Sequence, residues 1–179
     1  MKDTTAYIMD EVKRTIERVN EDTINEIVET LASAPKIFIY GVGRSGLVGK
    51  AFAVRLVQMG LNVHFVGDTT TPIVEEGDLV FIISNTGDTM SAVQTANIVR
   101  RIGAIVISIT GSAHSKLGIA SNVVLELVQP RDDMKKRMAP LGTIFELSSM
   151  VIVDSMVPLL MTRLGQDETS LRRRHAIWV

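Results

Sequence analysis

The stretch Ile37-Phe38-Ile39-Tyr40-Gly41-Val42-Gly43-Arg44-Ser45-Gly46 decides the fold. Its first four residues are apolar or aromatic without alternation, the pattern of a parallel strand covered on both faces. A glycine-rich turn follows, and Leu47 to Met59 then carries apolar residues at helical spacing. Strand, tight turn and helix together open an α/β unit. The same texture recurs downstream in short apolar runs at Asn62 to Val66, Leu79 to Ile83, Ile105 to Ile109 and Val123 to Leu127. A helix from Thr89 to Ile102 separates the third run from the fourth, and only Ser115 to Ala120 separates the fourth from the fifth. This alternation predicts an α/β fold, a three-layer α/β/α sandwich around a five-stranded parallel sheet in the doubly wound order 2-1-3-4-5.

Upstream, Ile8, Met9, Val12, Ile16 and Val19 form one helical stripe and Ile24, Ile27, Val28 and Leu31 a second, closed by Pro35. Downstream, about Thr143 to Leu164 reads as one long helix with a kink expected near Pro158. No linker, repeat or low-complexity tract interrupts the chain. The expected organisation is a single domain over residues 1–179, with N-terminal helices in 1–34, the sheet core in 36–128 and C-terminal helices in 143–175.

Composition narrows the chemistry. The 179 residues carry 20 acids against 19 bases, so the basic footprint of a general nucleic-acid binder is missing. There is no cysteine, which excludes disulfides, thiolate nucleophiles and cysteine-ligated zinc. His64, His114 and His175 share no i, i+4 pairing, so no metal is expected. The apolar share is 46%, yet Leu147 to Leu164 is broken by Ser148, Ser149, Asp154, Ser155, Pro158, Thr162 and Arg163 and does not read as a membrane span. Met1 to Thr4 leads into a charged segment rather than a signal-peptide core, and a cytoplasmic location is expected. The apolar surplus calls for a subunit interface, with the nearly all-apolar final helix as its place.

Loops that follow parallel strands open at the carboxyl edge of the sheet, where such folds bind ligands. Gly41 to Gly46 offers close backbone approach and the Ser45 hydroxyl; Ser84-Asn85-Thr86-Gly87-Asp88-Thr89 offers three more hydroxyls after the third strand. Free N–H groups at a helix start, with such hydroxyls, seat a phosphate without a lysine. Ser45 and Asp88 also read as ordinary N-caps. Gly41-x-Gly43-x-x-Gly46, with Asp68 after the second strand, matches the spacing of a dinucleotide fingerprint, but the second hydroxyl-rich loop suits a phosphate monoester better. Glu146 lies in Pro140-Leu141-Gly142-Thr143-Ile144-Phe145-Glu146 and has two readings. One is the reciprocal partner of Thr143 in a capping box; the other is a general base whose pKa rises among Leu141, Ile144, Phe145 and Leu147.

The two loops, the turn Val66-Gly67-Asp68-Thr69-Thr70-Thr71-Pro72, the segment before Glu146 and the ending Arg174-His175 together resemble the sugar isomerase (SIS) family, within it the 6-phospho-3-hexuloisomerase branch. The resemblance implies a cofactor-free isomerase that interconverts 3-hexulose 6-phosphate and fructose 6-phosphate through a cis-enediol. It also implies a homotetramer and a phosphosugar as the small-molecule partner, with neither nucleic acid nor membrane. Another single-domain phosphosugar isomerase of the phosphoheptose type, or a phosphosugar-binding protein without turnover, is the alternative. Gly43, Arg44, Ser45, Ser84, Asn85, Thr86, Gly87, Asp88 and Thr89 are the expected substrate-binding residues. Glu146 is the expected base, and Arg44 and His175 are candidates to stabilise the enediolate, His175 reaching in from a second subunit. A 3-ketose phosphorylated at O6 cannot close a five-membered ring through that oxygen, so His175 is not needed to open one. The sequence departs from the usual Ser-Gly-Ser-Gly-x-Thr loop at Asn85 and Thr86. Asn tolerates left-handed backbone geometry, which is expected to preserve the loop, whereas Asp88 sets a negative charge near the phosphate.

Overall fold

The computed structural model describes residues 1–129 and 133–175. Helices α1 (Lys2–Ile16) and α2 (Glu21–Ser33) precede β1 (Ile37–Gly41), α3 (Gly43–Gln58), β2 (Val63–Phe65), β3 (Leu79–Ser84) and α4 (Met90–Ile102). Then come β4 (Ile105–Thr110), α5 (Lys116–Ala120), β5 (Val123–Glu126), α6 (Asp133–Met138), α7 (Thr143–Leu164) and α8 (Glu168–Arg173). All five strands are parallel in the order β2-β1-β3-β4-β5, as the sequence predicts.

The register explains why ligand chemistry collects at one edge. Tyr40 is level with Ile82 and Gly41 with Ile83, so the turns that leave β1 and β3 emerge side by side. Side chains of the buried central strand β3 alternate between two cores. Leu79, Phe81 and Ile83 pack with Phe52 of α3, Leu31 of α2 and Phe145 and Met156 of α7. Val80 and Ile82 pack with Ala92, Ala96 and Val99 of α4 on the opposite face. Each fully buried side chain of this kind contributes roughly 1.5–3 kcal/mol.

Three local readings are corrected. Helix α3 begins at Gly43 rather than Leu47, so Arg44, Ser45 and Gly46 form its first turn instead of a loop. Gly41 and Gly46 permit this: a Cβ on Gly46 would lie 2.5 Å from the Gly41 carbonyl oxygen, and one on Gly41 would lie 2.9 Å from the Gly46 nitrogen. The glycine spacing shared with dinucleotide sites is thereby accounted for by strand-to-helix packing. Strand β2 is shorter than the apolar run Asn62 to Val66, although the flanking bonds Ile37 N–H to Asn62 and Val66 N–H to Ile39, both 2.9 Å, continue its pairing. Helix α6 was not anticipated.

Pro158 sits inside α7 without ending it. This 22-residue helix is long and apolar enough to cross a bilayer by length and composition, but half of its most apolar window is buried inside the fold. It packs on α1, α2 and α3 and is the core helix of the sheet's outer layer. Leu147, Val151 and Leu159 remain exposed along it, and Leu47 and Val54 along α3.

The Gly41–Gly46 contact gives a stability prediction. Gly46→Ala should lower stability by about 1–3 kcal/mol because the methyl meets backbone, which cannot swing aside. Gly43→Ala, at φ +60° with open space around it, should carry only the left-handed strain of roughly 1–2 kcal/mol and leave the packing of β1 against α3 intact. Urea midpoints at unchanged slope, together with the binding properties of the two variants, check this. A Gly46→Ala protein as stable as the parent would contradict it.

Candidate functional site

The loop after β3 and the first turn of α3 enclose a small cavity of ≈ 110 Å³ lined by Val42, Ser45, Ile83, Ser84, Asn85, Thr86, Thr89 and Ala92. Four of its lining residues are hydroxyl-bearing. Ser84 Oγ lies 3.3 Å from Thr89 Oγ1, and Ser84 and Ser45 are buried. The alternative reading of these residues as caps is not what the structure contains. The N-cap of α3 is Val42 and that of α4 is Thr89, and neither helix has a side-chain cap. The first-turn N–H groups of both helices therefore retain their capacity for an anion.

The remaining expected phosphate residues make contacts of their own. Gly87 adopts φ +64°, and a Cβ there would lie 2.0 Å from Ser115 Oγ, so this glycine lets the loop close onto the start of α5. The Leu117 N–H to Gly87 carbonyl bond of 2.8 Å fixes the approach. Gly43 turns the chain out of β1 at φ +60°. The Asp88 carboxylate is more than half exposed, lies 3.9 Å from Lys116 Nζ and does not line the cavity. The concern that it opposes a phosphate is relieved by this geometry. Among the described residues the only non-glycine at positive φ is Leu141, so Asn85 is not left-handed. Its side chain is engaged instead: Asn85 Oδ1 accepts from Gln129 Nε2 at 2.6 Å.

Glu146 does not complete a capping box. Thr143 donates its hydroxyl to the Pro140 carbonyl at 2.7 Å, and the N-cap of α7 is Gly142 without a side-chain cap. Nor is the carboxylate enclosed by the expected apolar group. Ile144 and Phe145 turn into the core, while Leu141 is 88% exposed and Leu147 39%. The Glu146 side chain is nevertheless only 12% exposed, because Arg44 lies over it and donates from Nε to Oε2. Arg44 is thus turned towards the carboxylate, lining with Leu47, Val48, Glu146, Leu147 and Met150 a second cavity of ≈ 200 Å³. The other oxygen, Oε1, borders the space beside Gly142: a Cβ on Gly142 would lie 2.9 Å from Oε1 and 3.4 Å from Asn85 Nδ2. The absent side chain therefore lets the base candidate and the loop after β3 come together at the Gly142 backbone, across a narrow gap without room for a methyl group.

His175 is not brought to this gap within one chain. It lines a separate cavity of ≈ 490 Å³ with Lys50, His64, Asp68 and Arg174 along the edge strand β2. Arg174, from the basic ending, donates to the Gln58 carbonyl at 3.2 Å and to Gln166 at 2.9 Å, which fastens the end of α8 to α3. Sequence reasoning overlooked Gln129, Gly111, Ser112 and Lys135, which with Asn85, Thr86 and Val128 line a polar cavity of ≈ 440 Å³ beside the β3 loop. For Gln129 the only available signal is its place just after β5, at the same carboxyl edge.

The SIS domain matches residues 30–152, and the chain belongs to that family. Along nearly its whole length the chain is 34% identical to an uncharacterized protein of Archaeoglobus fulgidus, over 95% of both. It is 32% identical to the 3-hexulose-6-phosphate isomerase of Bacillus subtilis, over 97% of both. Among solved structures it superposes at a TM-score of 0.85 and 30% identity on a Methanococcus jannaschii protein, covering 96% of this chain and 98% of that one. The function inferred from that crystal structure is 3-hexulose-6-phosphate isomerase.

The hydroxyl-lined cavity makes an anion-binding prediction. Ser84→Ala and Thr89→Ala should each weaken inorganic phosphate binding about tenfold or more, the worth of one hydrogen bond to a charged group. Asp88→Asn should leave it nearly unchanged. Titration calorimetry at constant ionic strength reads both, and an Asp88→Asn protein with the largest change would contradict the assignment.

Proposed function

We propose that the protein is a phosphosugar isomerase that interconverts 3-hexulose 6-phosphate and fructose 6-phosphate through a cis-enediol(ate). The observation that carries the proposal is the divided use of the Glu146 carboxylate, with Oε2 on Arg44 and Oε1 close to Gly142 and the Asn85 amide. The curated relatives of matching length support the choice of substrate.

Catalysis follows from three placements. The phosphate sits among Ser45, Ser84, Thr86 and Thr89 and supplies orientation, holding the reacting carbons near the carboxylate. Arg44 holds Oε2 of Glu146, which leaves Oε1 to face C2. Glu146 takes the C2 proton, the C–H electron pair forms the C2–C3 double bond, and O3 gathers the charge as the C3 carbonyl opens. A proton then passes from O2 to O3, C2 becomes the carbonyl carbon, and Glu146 returns its proton to C3. One base above one face serves both transfers, and no redox partner is consumed.

The exposed apolar residues of α3 and α7 suit a homotetramer, with His175 facing a neighbouring subunit's site, in a cytoplasmic enzyme. Sedimentation should give four chains per particle, and Val151→Glu on the exposed face of α7 should shift it to smaller species. A monomeric parent protein would overturn that assembly.

Glu146→Gln should lower kcat by about 10²–10⁴ while phosphosugar binding and melting temperature persist. The assay is formation of fructose 6-phosphate from 3-hexulose 6-phosphate, with sedoheptulose 7-phosphate run in parallel to detect a heptose phosphate specificity. Full turnover by Glu146→Gln would remove the base from the scheme.

A further inference from the structure

Asn85 directly follows β3 and is held at two points. Its backbone carbonyl accepts from Gly111 N–H at 2.9 Å, and its side-chain Oδ1 accepts from Gln129 Nε2 at 2.6 Å. Gly111 leaves room for the second bond, since a Cβ there would lie 3.2 Å from Asn85 Oδ1 and 3.3 Å from Gln129 Nε2. With Oδ1 taken, the amide nitrogen is directed to the other side, at the gap that Glu146 Oε1 also borders. Electrostatics select this orientation of the paired amides, because the opposite flip would aim Oδ1 at the Glu146 carboxylate. Among the described residues Nδ2 meets no acceptor.

The enediolate in the proposed reaction needs a donor close to the base. Arg44 is committed to Oε2 of Glu146, and His175 of the same chain lines a different cavity, so the donor that one subunit itself supplies beside its base is a different residue. We infer that the Asn85 carboxamide donates from Nδ2 to the enediolate oxygen beside the carbon that Glu146 deprotonates, with Gln129 as the positioning residue that locks the amide. This rests on the isomerase reading above. A neutral amide suits the task, because it stabilises charge developing on oxygen without forming a second ion pair that would quench the base. It is also preorganised, so no reorientation is needed as the charge forms.

The test is a double-mutant cycle on the intact protein, read as kcat and KM on 3-hexulose 6-phosphate and as affinity for inorganic phosphate. Asn85→Asp preserves the acceptor for Gln129 and removes the donor; Asn85→Ala removes the donor without adding charge. Each should lower kcat by about 10²–10³, the worth of one oxyanion donor; phosphate affinity should be unchanged in Asn85→Ala and lowered in Asn85→Asp, whose added charge lies in the lining of the phosphate cavity. Gln129→Ala should lower kcat in the parent and have no further effect on Asn85→Ala, because nothing remains to position. The inference is overturned if Asn85→Ala keeps the parent kcat. It is equally overturned if Gln129→Ala slows the parent and Asn85→Ala by the same factor, or if the loss in Asn85→Ala falls on phosphate affinity. A parent protein that turns over no phosphosugar defeats the isomerase reading itself, and this inference with it, so the two failures are distinguishable.

Discussion

The closest backbone approach at the site, between Gly41 and Gly46, is the constraint from which the rest follows. Without side chains at those two positions the first turn of α3 lies directly on the end of β1. That places Ser45 towards the loop after β3 and Arg44 towards α7. Parallel register then puts the second hydroxyl loop alongside, because Gly41 is level with Ile83 one residue before Ser84. Ser45 of the proposed phosphate seat and a charged partner for Glu146 therefore come from successive residues of one helical turn. Arg44 and Glu146 stand 102 positions apart in sequence, and this pair joins the sheet edge to the N-terminal end of the helix that fills the outer core.

Glycine at 142 has a complementary part. Its φ of −88° is open to any residue, so conformation does not demand glycine there. What a side chain would take away is the space between the Glu146 carboxylate and the Asn85 amide. Glycines 43 and 87, in contrast, satisfy positive φ, and Gly87 also admits Ser115. The same residue type thus meets three separate needs within one region: a left-handed turn, close backbone packing and close approach of the Glu146 carboxylate.

The sheet order and the long helix were legible because unbroken apolar β-branched runs and helical spacing are local signals with strong physical causes. The site was legible in part. Ser45, Ser84, Asn85, Thr86 and Thr89 read correctly as residues of one strand-end cluster, since their positions follow from topology. Glu146 could not be separated from a cap by spacing, because Thr143-x-x-Glu146 fits both readings; the bond from Thr143 to Pro140 removes the capping box. The partners of Glu146 and Asn85, Arg44 and Gln129, are long-range pairings that no local pattern encodes. Asn85 itself was read for its backbone tolerance, whereas its side chain is the part in use.

A crystal structure with fructose 6-phosphate bound to the Glu146→Gln protein tests the central claim most directly. The account predicts the phosphate among the hydroxyls of Ser45, Ser84 and Thr89, with C2 and C3 facing the side chain at position 146 across the space beside Gly142. A phosphate seated instead between Lys50 and His175 along β2, or reacting carbons turned away from position 146, would contradict it.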